Sequence, residues 1–287
     1  MIYPDAAAWR AAGQKRIALF GMSGLGKTTC SNLLRQSGAW FHYSVDYRIG
    51  TRYMGEYIAD NFKREAMKTP FLRELLRSDS IHIASNITFH NLSPLSTYLG
   101  KPGDAEKGGI DYATYVSRQE EHREAEINAL LDTVPFIEKA RTIYGYDHFV
   151  CDTGGSICEV VDSDDPDDPV LSALAAHLLL IWIQESDADA EELAHRFDQA
   201  PKPMYYRREE LDTFWADYLA ERGVAPDAVD PDDFIRYGFR RQLPLRRPRY
   251  AAMAANWGIT LAASDVAKVR TADDFGQLIE RTLEAAP

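Results

Sequence analysis

The hydrophobic positions of this chain fall into five short apolar runs, each bounded by turn-forming residues. Runs of this length between such boundaries are typical of strands that are buried on both faces. The five predicted strands are Ile17–Phe20, Trp40–Val45, His148–Cys151, Leu178–Ile183 and Ile259–Ala262. Because helical patterns lie between them, we predict an α/β fold with a five-stranded parallel sheet covered by helices.

Polar residues at helix ends locate several of the helices that cover the predicted sheet. Ser186 and Asp189 have the spacing of a capping box, and Thr271 and Asp274 repeat that spacing near the C-terminus. Gly223 follows an amphipathic stripe and is suited to end a helix, because glycine tolerates the left-handed conformation found there. The pattern therefore predicts helices after the fourth and fifth strands and another between them.

One connection, between the second and third predicted strands, is too long for a single crossover. We predict that residues 57–146 form a mostly helical insertion, and that residues 1–56 and 147–287 form the core containing the sheet. The clearest helical spacing of the insertion covers residues 115–143, where Pro135 interrupts it. A kinked helix or a helical hairpin is expected there.

Charge and composition exclude several classes of protein. Of the 287 residues, 45% are hydrophobic and 26% charged, as in globular rather than disordered or fibrous proteins. The 32 Lys and Arg against 44 Asp and Glu give a formal net charge of -12, which disfavours nucleic acid as a partner. The three cysteines form no disulfide or zinc pattern, and the most apolar stretch, 170–183, is too short to span a membrane. With no signal-peptide pattern, a cytoplasmic protein without membrane contact is expected.

Candidate chemistry enters with a glycine-rich segment after the first predicted strand. Residues 21–28 match the pattern G-x-x-x-x-G-K-[ST] between that strand and a helix predicted over 27–36. Glycines let backbone N–H groups face phosphate oxygens, and the helix N-terminus adds the positive end of its dipole. Lys27 is then expected to reach the terminal phosphates, and Thr28 to bind magnesium. A bare strand-to-helix turn, the alternative, needs neither side chain.

The expected nucleotide-binding residues form one continuous segment. They are Gly21, Met22, Ser23, Gly24, Leu25, Gly26, Lys27, Thr28 and Thr29. No Asn-Lys-x-Asp element, which reads guanine, follows downstream, so ATP with Mg2+ is the expected cofactor pair. The core is accordingly expected to bind the nucleotide, with the insertion 57–146 on the substrate side.

From this segment onward the sequence resembles the P-loop kinases of small metabolites, especially the shikimate and gluconate kinase group. Asp46-Tyr47-Arg48-Ile49 is similar to the D-x-x-I element in which shikimate kinases place a substrate-binding aspartate. Residues 149–155 look like a third strand that ends in the glycine-rich turn of that group. The resemblance covers about a quarter of the chain and implies a P-loop fold with phosphate transfer from ATP to a small acceptor. The chain is also similar to a bacterial family described only as ATPases.

Two aspartates that follow predicted strands are the catalytic candidates beside Lys27. The resemblance implies that Asp46 anchors or deprotonates the acceptor hydroxyl, and capping the next helix is its alternative role. Asp152 ends an apolar run, where an aspartate can hold the magnesium of a nucleotide, and capping the following turn is its alternative. Ser44 stands where shikimate kinases carry a further acidic metal partner, so the metal role with Thr28 is expected to have moved to Asp152.

Basic residues near these positions are candidates for binding anions. Arg48 and Arg52 follow Asp46 closely and are placed to hold an anionic acceptor by bidentate contacts. The resemblance implies that residues 198–208 form a lid whose cations neutralise the transferring phosphoryl group, and an ordinary loop is the alternative. The candidate lid cations are Lys202, Arg207 and Arg208.

A second basic stretch, residues 236–249, holds six arginines and no acidic residue. Surface ion pairing, contact with a nucleotide or substrate phosphate, and a polyanionic partner are the three interpretations of this stretch.

Two functions fit the sequence. The first is a kinase that transfers the γ-phosphate of ATP to a small hydroxylated acceptor, expected to be anionic because of the arginines after Asp46. The alternative is an ATPase that acts as a nucleotide-dependent switch, in which the insertion changes conformation and a protein partner reads the result.

Overall fold

Five parallel strands form a single sheet in the computed structural model of the chain, which describes residues 1–285. The strands are β1 (Arg16–Phe20), β2 (Trp40–Ser44), β3 (His148–Asp152), β4 (Leu179–Gln184) and β5 (Gly258–Ala262). They lie in the order β2-β3-β1-β4-β5, and every neighbouring pair is parallel. The predicted α/β class is thus confirmed, and each strand end lies within one residue of its predicted position.

Helices occupy the connections between these strands. Those before β3 are α1 (Ala6–Ala11), α2 (Lys27–Gln36), α3 (Val45–Arg48), α4 (Gly55–Ala66), α5 (Pro70–Arg77), α6 (Ser93–Leu99), α7 (Tyr112–Leu131) and α8 (Thr133–Thr142). Those after β3 are α9 (Ile157–Val160), α10 (Pro169–Ala175), α11 (Asp187–Gln199), α12 (Arg208–Arg222), α13 (Pro231–Trp257), α14 (Ala263–Val266) and α15 (Ala272–Ala285). Short 3-10 turns cover Ala105–Lys107 and Pro226–Ala228, and a π-helix covers Ile49–Tyr53. None of the helices described is both long enough and apolar enough to cross a membrane.

The helix ends follow the local signals in the sequence. At the start of α11 the Asp189 N–H donates to the Ser186 hydroxyl, and the Ser186 N–H donates to the Asp189 carboxylate, which is a complete capping box. Gly223 ends α12 with a left-handed φ of 62°. The predicted helix over 27–36 matches α2 at both ends.

The long helical pattern around Pro135 is interrupted in the structure, but the break lies a few residues before the proline. Helix α7 ends at Leu131 and α8 begins at Thr133, so Pro135 lies in the first turn of α8. Proline lacks the N–H that would bond to the carbonyl four residues before it, and its ring clashes with that carbonyl. The carbonyl in question is that of Leu131, which is where α7 stops.

The chain forms two compact units whose bounds differ from the predicted insertion at 57–146. The first unit comprises residues 1–45, 127–200 and the described residues from Arg236 onward, and the second comprises 46–126 and 201–235. The end of α7 belongs to the first unit because the Tyr43 hydroxyl donates to the Ala129 carbonyl at 2.7 Å. Such contacts, which join residues far apart in the sequence, are not visible in hydrophobic spacing.

The core of the first unit is built on strands whose residues are buried on both faces of the sheet. Ile17 and Leu19 of β1 are fully buried in one cluster with Trp9 of α1 and Phe275 of α15. The Trp9 indole N–H also donates to the Gly276 carbonyl at 3.1 Å, so its polar atom is satisfied. Full burial of each such side chain contributes about 1.5–3 kcal/mol to the free energy of unfolding. This burial also holds in place the carboxyl ends of the strands, where the site residues lie.

The three cysteines are buried free thiols. Burial, aided by the charge of Asp152, raises the pKa of Cys30 to about 12. Burial likewise raises the pKa of Cys158 to about 12 and moves that of Cys151 well above its usual range. All three are therefore protonated and apolar in character at neutral pH.

The second unit is organised around the first part of α7. The Gln119 side chain donates to the Met204 carbonyl at 3.0 Å and accepts from the Tyr206 N–H at 3.0 Å, which fastens the segment after residue 200 onto the helix. His122, one turn further along, stacks on Tyr205. Burial lowers the pKa of His122 to about 4, so its imidazole is neutral at physiological pH.

Candidate functional site

The glycine-rich segment forms the connection between β1 and α2, as predicted. Gly26, at the N-cap of α2, has a φ of 92°, a conformation that side-chain-bearing residues rarely adopt. No described side chain caps this helix, and the first backbone N–H to bond within it is that of Cys30, which donates to Gly26 at 2.8 Å. The start of α2 thus offers the positive end of the helix dipole to an anion.

Lys27 is buried at this helix start, with 5% of its surface exposed. Its ammonium donates to the carbonyls of Gly21 at 2.7 Å and of Met22 at 2.9 Å, both in the same loop. These two contacts hold the positive charge within the loop. An incoming phosphate would offer full negative charge in exchange, which makes a stronger charge-assisted bond.

Thr28 and Asp152 meet although 124 positions separate them. The Thr28 hydroxyl donates to one carboxylate oxygen of Asp152 at 2.6 Å, and Asp152 is itself 5% exposed at the end of β3. The other carboxylate oxygen accepts from the Gly154 N–H at 3.4 Å, so Asp152 also performs the turn-capping role weighed as its alternative. A hydroxyl and a carboxylate oxygen this close fit one coordination shell of Mg2+, which prefers such ligands.

A cleft of about 370 Å3 opens beside the glycine-rich loop, wholly within the first unit. Leu25 and Leu33 give it apolar surface, and Arg196 of α11 and Val266 of α14 also line it. Its size falls in the range of about 300–1,000 Å3 typical of small-molecule sites. A flat, largely apolar group with an adjoining anionic tail would fit between the cleft and the loop.

Glu185, directly after β4, is a site residue that the sequence reasoning missed. It is 4% exposed, and its Oε2 atom makes no hydrogen bond within residues 1–285. Burial raises its pKa, opposed by the charges of Arg247 and Lys27. A signal was present, because Glu185 follows an apolar run as Asp46 and Asp152 do.

We expect Glu185→Gln to raise the free energy of unfolding at pH 8 by about 1 kcal/mol, because an ionised carboxylate oxygen is buried without a hydrogen bond. The pKa of Glu185 is raised in the folded state, so folding favours its protonated form. The contribution of Glu185 to stability is therefore fully present below the unfolded pKa of about 4.3 and is lost as the pH rises through the folded pKa. The gain should therefore disappear near pH 4. The gain is measured by urea unfolding at pH 8 and at pH 4, and the control is the same substitution at the exposed Glu192, Glu192→Gln. An equal gain at the two pH values would contradict the raised pKa of Glu185.

The turn after β3 lies against the glycine-rich loop. A Cβ atom on Gly155 would come within 2.2 Å of the Ser23 hydroxyl oxygen, so any larger residue there would force the Ser23 side chain to move. The Gly155 carbonyl accepts a hydrogen bond from the Tyr250 hydroxyl of α13 at 2.5 Å. Helix α13 thereby supports the turn that follows Asp152.

Ion pairing accounts for most of the basic stretch 236–249. Arg246 donates to Glu159 of α9 at 2.8 Å, and Arg249 donates to the other carboxylate oxygen at 2.5 Å. Glu159 is fully buried, and Gln242 adds a hydrogen bond to it at 3.1 Å. Exposed pairs join Arg247 to Asp187 and Arg240 to Asp198. Of the three interpretations, the structure favours ion pairing.

The predicted acceptor residues lie together in the second unit. Asp46 and Arg48 are in α3, and Arg52 is in the π-helix that continues it to Tyr53. Asp46 occupies the first turn of α3. A carboxylate there interacts favourably with the positive end of the helix dipole, which agrees with the alternative role of Asp46 in capping this helix. A π-helix is rare and is frequent at functional sites, so the π-helix that begins at Ile49 keeps this segment a candidate.

The predicted lid cations also belong to the second unit. Arg208 begins α12 and pairs with Asp212 at 2.7 Å, one turn away. Arg207 is the N-cap residue of the same helix. Lys202 is exposed and lines a cleft built by that unit. A lid role for the three residues stays a prediction.

No family model and no curated protein matches the chain. Among solved structures, the chain is similar to a shikimate kinase from Bacteroides thetaiotaomicron, with 16% sequence identity over 94% of this chain and 98% of that chain and a TM-score of 0.39. Function is therefore inferred from the chain's own residues.

Proposed function

We propose that this protein binds Mg-ATP and transfers its terminal phosphate to a small hydroxylated acceptor. The observation that carries the proposal is the contact of Thr28 with Asp152 directly at the uncapped start of α2. This contact supports the proposal because a hydroxyl and a carboxylate, which are suitable magnesium ligands, meet beside a helix N-terminus of the kind that binds phosphates. A strand-to-helix turn without a nucleotide would need neither ligand there.

Each part of the site has a distinct role in binding ATP. The backbone N–H groups of the loop and Lys27 bind the phosphates, while Thr28 and Asp152 hold the magnesium, whose charge offsets that of the phosphates. The cleft beside Leu25 receives the base, with the planar guanidinium of Arg196 available for stacking. Catalysis by such a site is positioning and electrostatic stabilisation of the transferring group.

The acceptor roles are proposed from the sequence. Asp46 orients the acceptor hydroxyl and takes its proton as the new bond to phosphorus forms. Arg48 and Arg52 bind an anionic group of the acceptor, and the cations of the segment 198–208 neutralise the transferring phosphoryl group. The competing function is an ATPase switch read by a protein partner, in which water replaces the acceptor.

We expect ATP hydrolysis without an acceptor to be slow, well below the roughly 1–100 per second of kinase turnover, and ADP release to rise sharply with the true acceptor. A kinase must keep water from the phosphate until its acceptor binds. The measurement is ADP production across sugar acids, polyols and nucleosides, with phosphorylated product identified by mass spectrometry. Asp152→Asn serves as the control, because it should abolish the magnesium-dependent signal. Brisk hydrolysis that no compound changes, but that a protein from the same cell extract alters, would favour the switch.

A further inference from the structure

The second unit contains an open cleft of about 580 Å3 that none of the residues proposed to bind ATP or magnesium lines, although the candidate lid cation Lys202 does. This volume is suited to a small metabolite. The cleft is lined by residues from three parts of the unit, 89–108, 202–203 and 231–232. Its lining includes three lysines and three hydroxyl residues, namely Lys101, Lys107, Lys202, Ser93, Ser96 and Thr97.

Two of the lysines extend from an ordered loop. The Gly103 N–H donates to the Ile110 carbonyl at 2.9 Å, and the Ile110 N–H donates to the Lys101 carbonyl at 2.9 Å, which closes the loop on itself. The Asp104 N–H donates to the Val229 carbonyl at 2.9 Å and fixes the loop to the segment before α13. Groups held in place before a ligand arrives lose less entropy on binding it.

Among the residues that line the cleft, lysines outnumber carboxylates. Lys101 pairs with Asp232 at 2.5 Å, and Lys107 pairs with Asp230 at 3.2 Å. Lys202 is exposed and has no ion-pair partner among the described residues, so three lysines face two carboxylates. An anion entering the cleft would meet this uncompensated charge and two further ammonium groups.

We propose that this cleft binds a small phosphorylated polyol. Its permanently charged cations are all lysines, whose ammonium groups act as separate point charges and suit the oxygens of a tetrahedral phosphate. The hydroxyls of Ser93, Ser96 and Thr97 can exchange hydrogen bonds with ligand hydroxyls, and Phe89 and Pro203 provide apolar contact for its carbon chain.

The test is calorimetric titration with inorganic phosphate and with ribose 5-phosphate, in the absence of nucleotide and magnesium. Both titrations use a Lys27→Ala background, so that phosphate binding at the glycine-rich loop does not contribute. Lys202→Gln should weaken ribose 5-phosphate binding about tenfold, because it removes one charge-assisted contact. Lys68→Gln is the matched control, since Lys68 is an exposed lysine of the same unit that does not line the cleft.

Ser96→Ala separates the two sources of phosphate chemistry. The substitution should weaken the binding of ribose 5-phosphate severalfold and leave the binding of inorganic phosphate unchanged. Only ribose 5-phosphate carries sugar hydroxyls that can hydrogen-bond to Ser96. Equal binding of ribose 5-phosphate by Lys202→Gln and Lys68→Gln would overturn the site. Equal affinity of the Lys27→Ala protein for both probes would overturn the polyol and leave free phosphate as the ligand. Because no ATP is present, failure of the kinase proposal would not affect either result.

Discussion

Mg-ATP at about a hundredfold its dissociation constant should add about 2.7 kcal/mol to the stability of the wild-type protein, and little to that of Lys27→Ala. Lys27 is the buried cation at the start of α2, and its ammonium already lies among the loop atoms that phosphates would contact. Without it, the negative charge of the terminal phosphates has no lysine partner in the loop. The measurement is the thermal midpoint with and without Mg-ATP.

Each variant must be compared with its own ligand-free midpoint. Removal of the Lys27 ammonium also removes two hydrogen bonds to loop carbonyls, so the ligand-free protein can itself change in stability. Lys139→Ala is the matched control, because Lys139 is an exposed lysine on α8 of the same unit. Equal gains from Mg-ATP in wild type and Lys27→Ala would contradict phosphate binding by this loop.

Glu159→Ala should lower the free energy of unfolding by about 3–5 kcal/mol. The carboxylate is fully buried and accepts from Arg246 at 2.8 Å, while the side chain of Arg246 is only 4% exposed. The loss arises because the substitution leaves a buried guanidinium without its carboxylate, and water cannot replace that partner. Glu159→Gln keeps an oxygen acceptor for Arg246 and should lose less.

Urea denaturation, with the slope and midpoint both recorded, measures this difference. Asp187→Asn is the control, because it removes the exposed partner of Arg247 and should change the free energy of unfolding by less than about 1 kcal/mol. If Glu159→Ala and Asp187→Asn lower the free energy of unfolding equally, burial does not determine how much the ion pairs of α13 contribute to stability. The expected contrast therefore tests whether Glu159 is the anchor that joins α9 to α13.

The sequence predicted the sheet well because its strands are short and buried on both faces. Ile17 to Phe20 and Leu179 to Ile183 are apolar at nearly every position, which few other structures permit. The ends of α2, α11 and α12 were also predictable, since their signals are local. Ser186 and Asp189, for example, are three residues apart.

The site was predictable only as far as its motif extends. The pattern at residues 21–28 predicted that Thr28 binds magnesium, and Asp152 was a second metal candidate because it ends an apolar run. The partner of Arg246 could not be found in the same way, because Glu159 lies 87 positions away and no motif links them. The bounds of the two units depend on similar long-range contacts, such as those of Gln119 with Met204 and Tyr206.

Chemical modification of the three buried cysteines can measure local opening of the structure around them. Alkylating reagents are attacked by the thiolate, and each of these thiols is buried and kept protonated by its surroundings. Modification therefore requires that the surrounding structure open first, so its rate follows the free energy of that opening. Cys30 reports on the helix that follows the glycine-rich loop, Cys151 on the strand that ends at Asp152, and Cys158 on the segment held by α13. Trapping each thiol with and without nucleotide would resolve, position by position, which part of the site a bound ligand makes rigid.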